Sequence, residues 1–147
     1  MQIALAHSHL VGLGFDLPAL TATFEGYMKR HQLSDRVRFL PGDFFVDPLP
    51  PDDVVIMGRV LHNWDLATKR MLLQKAHAAL PTGGALIVHE RLIDAARCKG
   101  AAGLLSSLNM LIMTEGGFDF TAADCIGRCM RWASGRCERS LSLTHMP

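Results

Sequence analysis

The sequence predicts an α/β fold built on parallel strands. Short apolar strands alternate with amphipathic helices along the chain, the order that parallel strands joined by right-handed crossovers require. The run VVIMG at 54–58 is continuously apolar, as in a strand covered on both faces. The 147 residues are 49% hydrophobic and 20% charged, which suits one globular domain with a core.

Residues 2–8 read as the last turns of a helix, followed by a strand at Val11–Phe15. Pro18 opens a helix to about Gln32, because its fixed φ suits a first turn. A strand at Val37–Leu40 ends in Pro41-Gly42, and the three prolines of DPLPPDD at 47–53 make a loop. Asp65 caps a helix over 66–80, where Leu66, Met71 or Leu72, Lys75 or Ala76, and Ala79 or Leu80 recur at helical spacing. Pro81-Thr82-Gly83-Gly84 stops it, and ALIVHE at 85–90 is the next strand. An apolar helix at 100–113 ends at Glu115-Gly116-Gly117, and Thr121 with Asp124 begins another in capping-box fashion. There is no internal repeat.

The formal net charge of +1, with both signs interspersed, gives no basic stripe for nucleic acid. No run approaches the ~18 apolar residues of a membrane span. The opening MQIALAHSHL lacks the charged start and cleavage site of a signal peptide, so the cytoplasm is the expected location. Cys98, Cys125, Cys129 and Cys137 form no C-x-x-C pair. Cys125 and Cys129 lie one helical turn apart without a second close pair, so reduced thiols are expected and no metal.

In parallel sheets, ligands bind beyond the carboxyl ends of the strands. The residues there are Asp16, Gly42-Asp43-Phe44, Gly58 to Trp64, and Glu90. Asp16 suits the two hydroxyls of a ribose, or equally an N-cap. Asp43 suits an exocyclic amine and Phe44 a purine face, although a turn with core phenylalanines fits as well. His62 is placed to take a hydroxyl proton, against a structural role. Glu90 and Asp119 are acids that hold an imidazole tautomer if they converge on His62, and helix caps if they do not. Asn109, Met110, Leu111 and Met113 form a stripe read first as core, with an apolar substrate pocket as the other reading.

GFDLP at 14–18, RVRFLPGDFF at 36–45, DPLP at 47–50, LHNW at 61–64, LPTGGALIVHE at 80–90 and LNMLIMTEGG at 108–117 form an ordered set. Over about residues 1–125 this set resembles the S-adenosylmethionine-dependent O-methyltransferases of the plant caffeate, acetylserotonin and bacterial polyketide or carotenoid type. The resemblance implies methyl transfer to the hydroxyl of a small, aromatic or polyketide-like acceptor. His62 then matches the general base, and Glu90 and Asp119 the acids that flank it. Asp16 matches the ribose-binding acid, and Asp43 and Phe44 the adenine contacts. Gly58 and Arg59 also fall among the cofactor contacts. Asn109, Met110 and Met113 match the helix that lines the acceptor pocket.

The chain departs from the family pattern in several places. Asn63 stands where the family usually has Asp, and Asp119 where Glu is common. Gly58-Arg59 replace the Lys-Trp of plant members. Family members carry an N-terminal dimerisation domain, then a first strand and a glycine-rich cofactor loop, with which no segment of this chain aligns. The expected architecture is therefore a partial Rossmann-like class I methyltransferase sheet lacking its first strand and the C-terminal hairpin. Residues 1–126 would form the partial S-adenosylmethionine-binding catalytic domain, and 127–147 a divergent, disordered or frame-shifted tail. The family is homodimeric, but its dimerisation domain has no counterpart here. The competing expectation is a non-catalytic remnant of such an enzyme. A dehydrogenase-like nucleotide binder fits less well, because no G-x-G-x-x-G occurs.

Overall fold

The computed structural model describes residues 2–96, 98 and 101–132. The elements are α1 (Gln2–Ala6), β1 (Gly12–Asp16), α2 (Thr21–Arg30), β2 (Val37–Pro41), β3 (Val54–Gly58), α3 (Leu66–Ala79), β4 (Ala85–His89), α4 (Ala101–Met113) and α5 (Ala122–Trp132). They belong to two compact units that divide between Leu49 and Pro50.

In the first unit β1 and β2 pair in parallel, with Gly12 opposite Val37 and Asp16 opposite Pro41. The connection is α2, entered through a short 3₁₀ turn at Pro18–Leu20 rather than helical from Pro18 as expected. The tighter turn follows from Leu17, which precedes the proline and is extended (φ −56°, ψ 144°). Ala4, Met28 and Leu33 form the buried core, with Phe24 and Val37 packed against it. Gly14 is required here, because a Cβ would lie 2.4 Å from the Phe24 ring. Arg36 ties α1 to the start of β2: its guanidinium donates to the carbonyls of Ala4 at 2.9 Å and Leu10 at 2.9 Å.

In the second unit β3 and β4 pair in parallel, Val54 opposite Ala85 and Gly58 opposite His89. The crossover is α3, whose N-cap Asp65 accepts from the Thr68 N–H at 2.8 Å. The face buried by α3 is Lys69, Leu72, Leu73, Ala76 and Ala79, while Leu66 is exposed. The stripe expected to begin at Leu66 therefore begins one turn later, at a lysine. β3 is also not covered on both faces: Met57 is buried, whereas Val54 and Ile56 are exposed. Alternation of this kind belongs to a sheet with one covered face. The stripe on α4 is not core either. Leu111, Ile112 and Met113 are 63%, 73% and 72% exposed, so the helix presents apolar side chains outward.

α5 runs as a helix across position 127 to Trp132, and the rest of the expected tail, 133–147, lies outside the described residues. Among the described residues no helix is long and apolar enough to cross a membrane.

Candidate active site

The turn after β3 carries His62 and meets Glu90. Its shape begins at Arg59, whose φ of 56° is uncommon for a residue with a side chain. The Arg59 N–H donates to the His89 carbonyl at 2.9 Å, which ties the end of β3 to the end of β4. A 3₁₀ turn at Leu61–Asn63 follows and buries both Leu61 and His62. Glu90, directly after β4, reaches this turn with both oxygens. Oε1 accepts from the Leu61 N–H at 2.8 Å, and Oε2 lies 2.5 Å from His62 Nδ1.

The side chains of His62 and Glu90 are 5% and 1% exposed. A carboxylate accepts but does not donate, so the proton between them resides on His62 Nδ1. When the ring is neutral, this arrangement leaves Nε2 as its unprotonated atom.

Asp119 lies in the segment that joins α4 to α5. Gly116 takes a φ of +83°, and Gly117 lies directly under the His62 turn. A Cβ at Gly117 would be 2.8 Å from the carbonyl oxygens of both His62 and Asn63 and 2.1 Å from Thr114 Oγ1. The next residues are held in sequence. The Gly117 N–H donates to Thr114 Oγ1 at 3.0 Å, the Asp119 N–H to Ser107 Oγ at 3.3 Å, and the Ile93 N–H to the Phe120 carbonyl at 3.2 Å. Asp119 is 3% exposed, and neither carboxyl oxygen has a hydrogen-bond partner among the described residues. A buried carboxylate without donors is costly, so Asp119 retains unused acceptor capacity.

Lys69, which the sequence reading passed over, lies beside this acid. It is 1% exposed, and its Nζ donates to the Phe118 carbonyl at 2.8 Å. The same ammonium lies 3.1 Å from the centroid of the Phe118 ring and 5.5 Å from that of Phe120. The Arg128 guanidinium faces the same two rings at 5.6 and 5.7 Å. Burial pushes the Lys69 ammonium down to about 8, and Arg128 adds to that effect. Asp119, Glu90 and Asp65 act in the opposite direction.

The cofactor candidates of the first unit also sit at strand ends. Asp16 ends β1, and its Oδ1 accepts from the Leu17 N–H at 2.8 Å. The Gly42 N–H donates to the Asp16 carbonyl at 2.9 Å, which joins the two loops. Asp43 accepts at Oδ1 from the Phe45 N–H at 2.8 Å, and the ring centroids of Phe44 and Phe45 are 4.9 Å apart. Gly58 and Arg59 are exposed at the end of β3. On α4, Asn109 and Met113 are exposed and Met110 is half-buried. Cys98, Cys125 and Cys129 are free thiols, and Cys137 lies outside the described residues. No group of His, Cys, Asp and Glu among the described residues is placed to hold a metal.

A buried histidine–carboxylate pair thus lies at the carboxyl ends of two parallel strands, the place where ligands bind in parallel α/β sheets. The chain belongs to the O-methyltransferase domain family, whose model matches residues 1–124. It is 44% identical over 129 residues to the tetracenomycin polyketide synthesis 8-O-methyl transferase TcmO of Streptomyces glaucescens, covering 88% of this chain and 37% of that protein. The mitomycin 7-O-methyltransferase MmcR superposes with a TM-score of 0.88 at 27% identity, over 99% of this chain and 42% of that one. The O-methyltransferase NcsB1, in complex with S-adenosylmethionine and 2-hydroxy-5-methyl naphthoic acid, superposes with a TM-score of 0.76 at 27% identity, over 88% and 38% of the two chains. The chain thus spans about two fifths or less of the length of these relatives.

Proposed function

We propose that this chain is catalytic-domain sequence, assigned to residues 1–126, of an S-adenosylmethionine-dependent O-methyltransferase acting on the hydroxyl of a small aromatic or polyketide-like acceptor. One observation carries the reading: the buried His62–Glu90 pair, which leaves His62 Nε2 as a base at the end of a parallel sheet. The relatives support it, since MmcR and TcmO are O-methyltransferases by name and NcsB1 is in complex with S-adenosylmethionine and a hydroxynaphthoic acid.

The residues after β1 and β2 fit the cofactor. Asp16 and Asp43 each spend one oxygen on a local N–H, and an ionised carboxyl has capacity to accept more. Asp16 would hold the ribose hydroxyls and Asp43 the exocyclic amine, with Phe44 against the purine and Gly58 and Arg59 as further contacts. Bound S-adenosylmethionine supplies an electrophilic sulfonium methyl.

The chain's own residues handle the proton. His62 Nε2 takes it from the acceptor hydroxyl, leaving an oxyanion nucleophile. Glu90 keeps the ring in the required tautomer and stabilises the imidazolium that forms. Asp119 is the second acid, and Asn109, Met110 and Met113 face the acceptor. The cytoplasm is the expected location, and the family's homodimer forms through a dimerisation domain with which no segment of this chain aligns.

The test is methyl transfer by the intact protein from labelled S-adenosylmethionine to a hydroxynaphthoate. His62→Gln is expected to lose about 10²- to 10⁴-fold in kcat. An unchanged kcat would remove His62 from the mechanism.

A further inference from the structure

Lys69 does not belong to the motif set and touches neither strand end, yet it is among the most buried side chains of the molecule. A lysine with 1% exposure is rare unless it is paired. Its ammonium contacts the Phe118 carbonyl and the Phe118 and Phe120 rings, all from the residues that bracket Asp119. Gly117 in the same segment leaves no room for a Cβ against the His62 and Asn63 carbonyls. Anything that fixes Phe118 therefore fixes the acid and the floor of the base together.

The charges point the same way. The groups facing Lys69 are Asp65 from its own helix, Glu90 after β4, Asp119 from the 114–121 segment and Arg128 from α5. Two of these, Glu90 and Asp119, are the carboxylates proposed to act on His62. A histidine bonded to an uncompensated carboxylate is drawn toward its charged form, which cannot act as a base. A buried cation that interacts with Glu90 and Asp119 offsets that field.

We propose that Lys69 is a positioning residue of the acid–base site: its ammonium clamps the Phe118 carbonyl and balances the Glu90 and Asp119 carboxylates, so that His62 remains neutral and able to accept a proton. The inference rests on the reading of His62 as the base. It differs from that reading in what it requires of a residue that touches neither acceptor nor cofactor.

The experiment follows the ring-proton titration of His62 by NMR in the intact protein and in Lys69→Met, which keeps an unbranched side chain without the charge. Folding is checked by a cooperative thermal melt. The His62 midpoint is expected to rise by on the order of one pH unit, the size of effect a nearby unit charge exerts at an effective dielectric of about 20. The acidic limb of the kcat profile is expected to move with it. Lys69→Arg keeps the charge and is expected to leave the midpoint in place. An unmoved midpoint in Lys69→Met, or an equal rise in Lys69→Arg, overturns the proposal.

If Lys69→Met does not fold, the reciprocal measurement decides. In Asp119→Asn the Lys69 amine, followed through its Cε and Nζ resonances, is expected to titrate at lower pH than in the parent protein. No movement there overturns the coupling. Failure of the base reading would look different: His62→Gln would keep its kcat while the titration midpoints still reported the coupling.

Discussion

Glu90→Gln isolates the orienting role of the carboxylate with almost no change in volume. Glu90 accepts from Leu61 N–H at 2.8 Å and from His62 Nδ1 at 2.5 Å, with its side chain 1% exposed. A glutamine can keep its carbonyl on Leu61, but its amide nitrogen then faces His62 Nδ1. Two donors cannot share that contact, so the ring turns Nδ1 into an acceptor and carries its proton on Nε2. That is the atom that must take the acceptor's proton. A hydrogen bond to a charged group contributes about 1.5–3 kcal/mol and the opposing neutral bond about 1 kcal/mol, so the required tautomer is disfavoured by about 2.5–4 kcal/mol. At about 1.4 kcal/mol per decade the expected loss in kcat is about 10²- to 10³-fold. Single-turnover methyl transfer at saturating S-adenosylmethionine measures it, and ring ¹⁵N shifts report the tautomer. A wild-type rate accompanied by the switched tautomer would refute the assignment of Nε2 as the base.

Gly117→Ala places a methyl 2.1 Å from Thr114 Oγ1 and 2.8 Å from two carbonyl oxygens, so the backbone under His62 must shift. The expected cost is about 1–3 kcal/mol, read as a lowered Tm together with reduced kcat. Lys69 titrates at about 8 when folded and near 10.5 when unfolded, so the unfolded chain binds the proton more tightly. Stability is therefore expected to rise as pH goes from about 8 to 10.5, by up to about 1.4 kcal/mol per pH unit, and urea unfolding of Lys69→Met should lack that slope. The Thr68 N–H holds the exposed Asp65 carboxyl below its usual 3.8. Its cap is expected to stabilise α3 fully above that pH and to fade as pH falls through the lowered value. The Tm of Asp65→Ala should then converge on that of the parent in acid.

The parts of the site that follow from strand ends were legible in the sequence. An apolar run followed by a polar residue marks the carboxyl end of a parallel strand. His62 and Glu90 were found that way, and the register Gly58–His89 then brings their loops together. Asp16 and Asp43 follow from the same rule, with Asp16 opposite Pro41. Burial was less legible. A stripe read from Leu66 assigns the lysine at 69 to solvent, because a charge on a helix is ordinarily a surface group. Yet Lys69 falls three and four residues before Leu72 and Leu73, on the face that α3 buries. The signal was present as spacing and outweighed by residue type. The apolar stripe of α4 was misread the other way, since hydropathy marks what avoids water and not which partner covers it. Gly117 reads in sequence as a helix stop. Its actual constraint, contact with the carbonyls of His62 and Asn63, comes from residues distant in the chain and is visible only in three dimensions.

Lys69 and Gly117 connect the same two pieces of backbone from opposite directions. Gly117 permits the 114–121 segment to approach the His62 turn, and Lys69 fixes that segment one residue further on through the Phe118 carbonyl. Asp119 sits between these constraints, with Ser107 holding its N–H and nothing among the described residues holding its carboxyl. An acid whose backbone is fixed at every neighbouring position while its oxygens go unbonded is arranged for a donor that arrives and leaves. The imidazolium formed during methyl transfer would be such a donor, present only after the proton has moved. A purely structural carboxylate would be expected to have bonded partners throughout. Asp119→Asn is therefore expected to leave Tm nearly unchanged while lowering kcat, and a large loss of Tm with intact kcat would assign Asp119 to the fold instead.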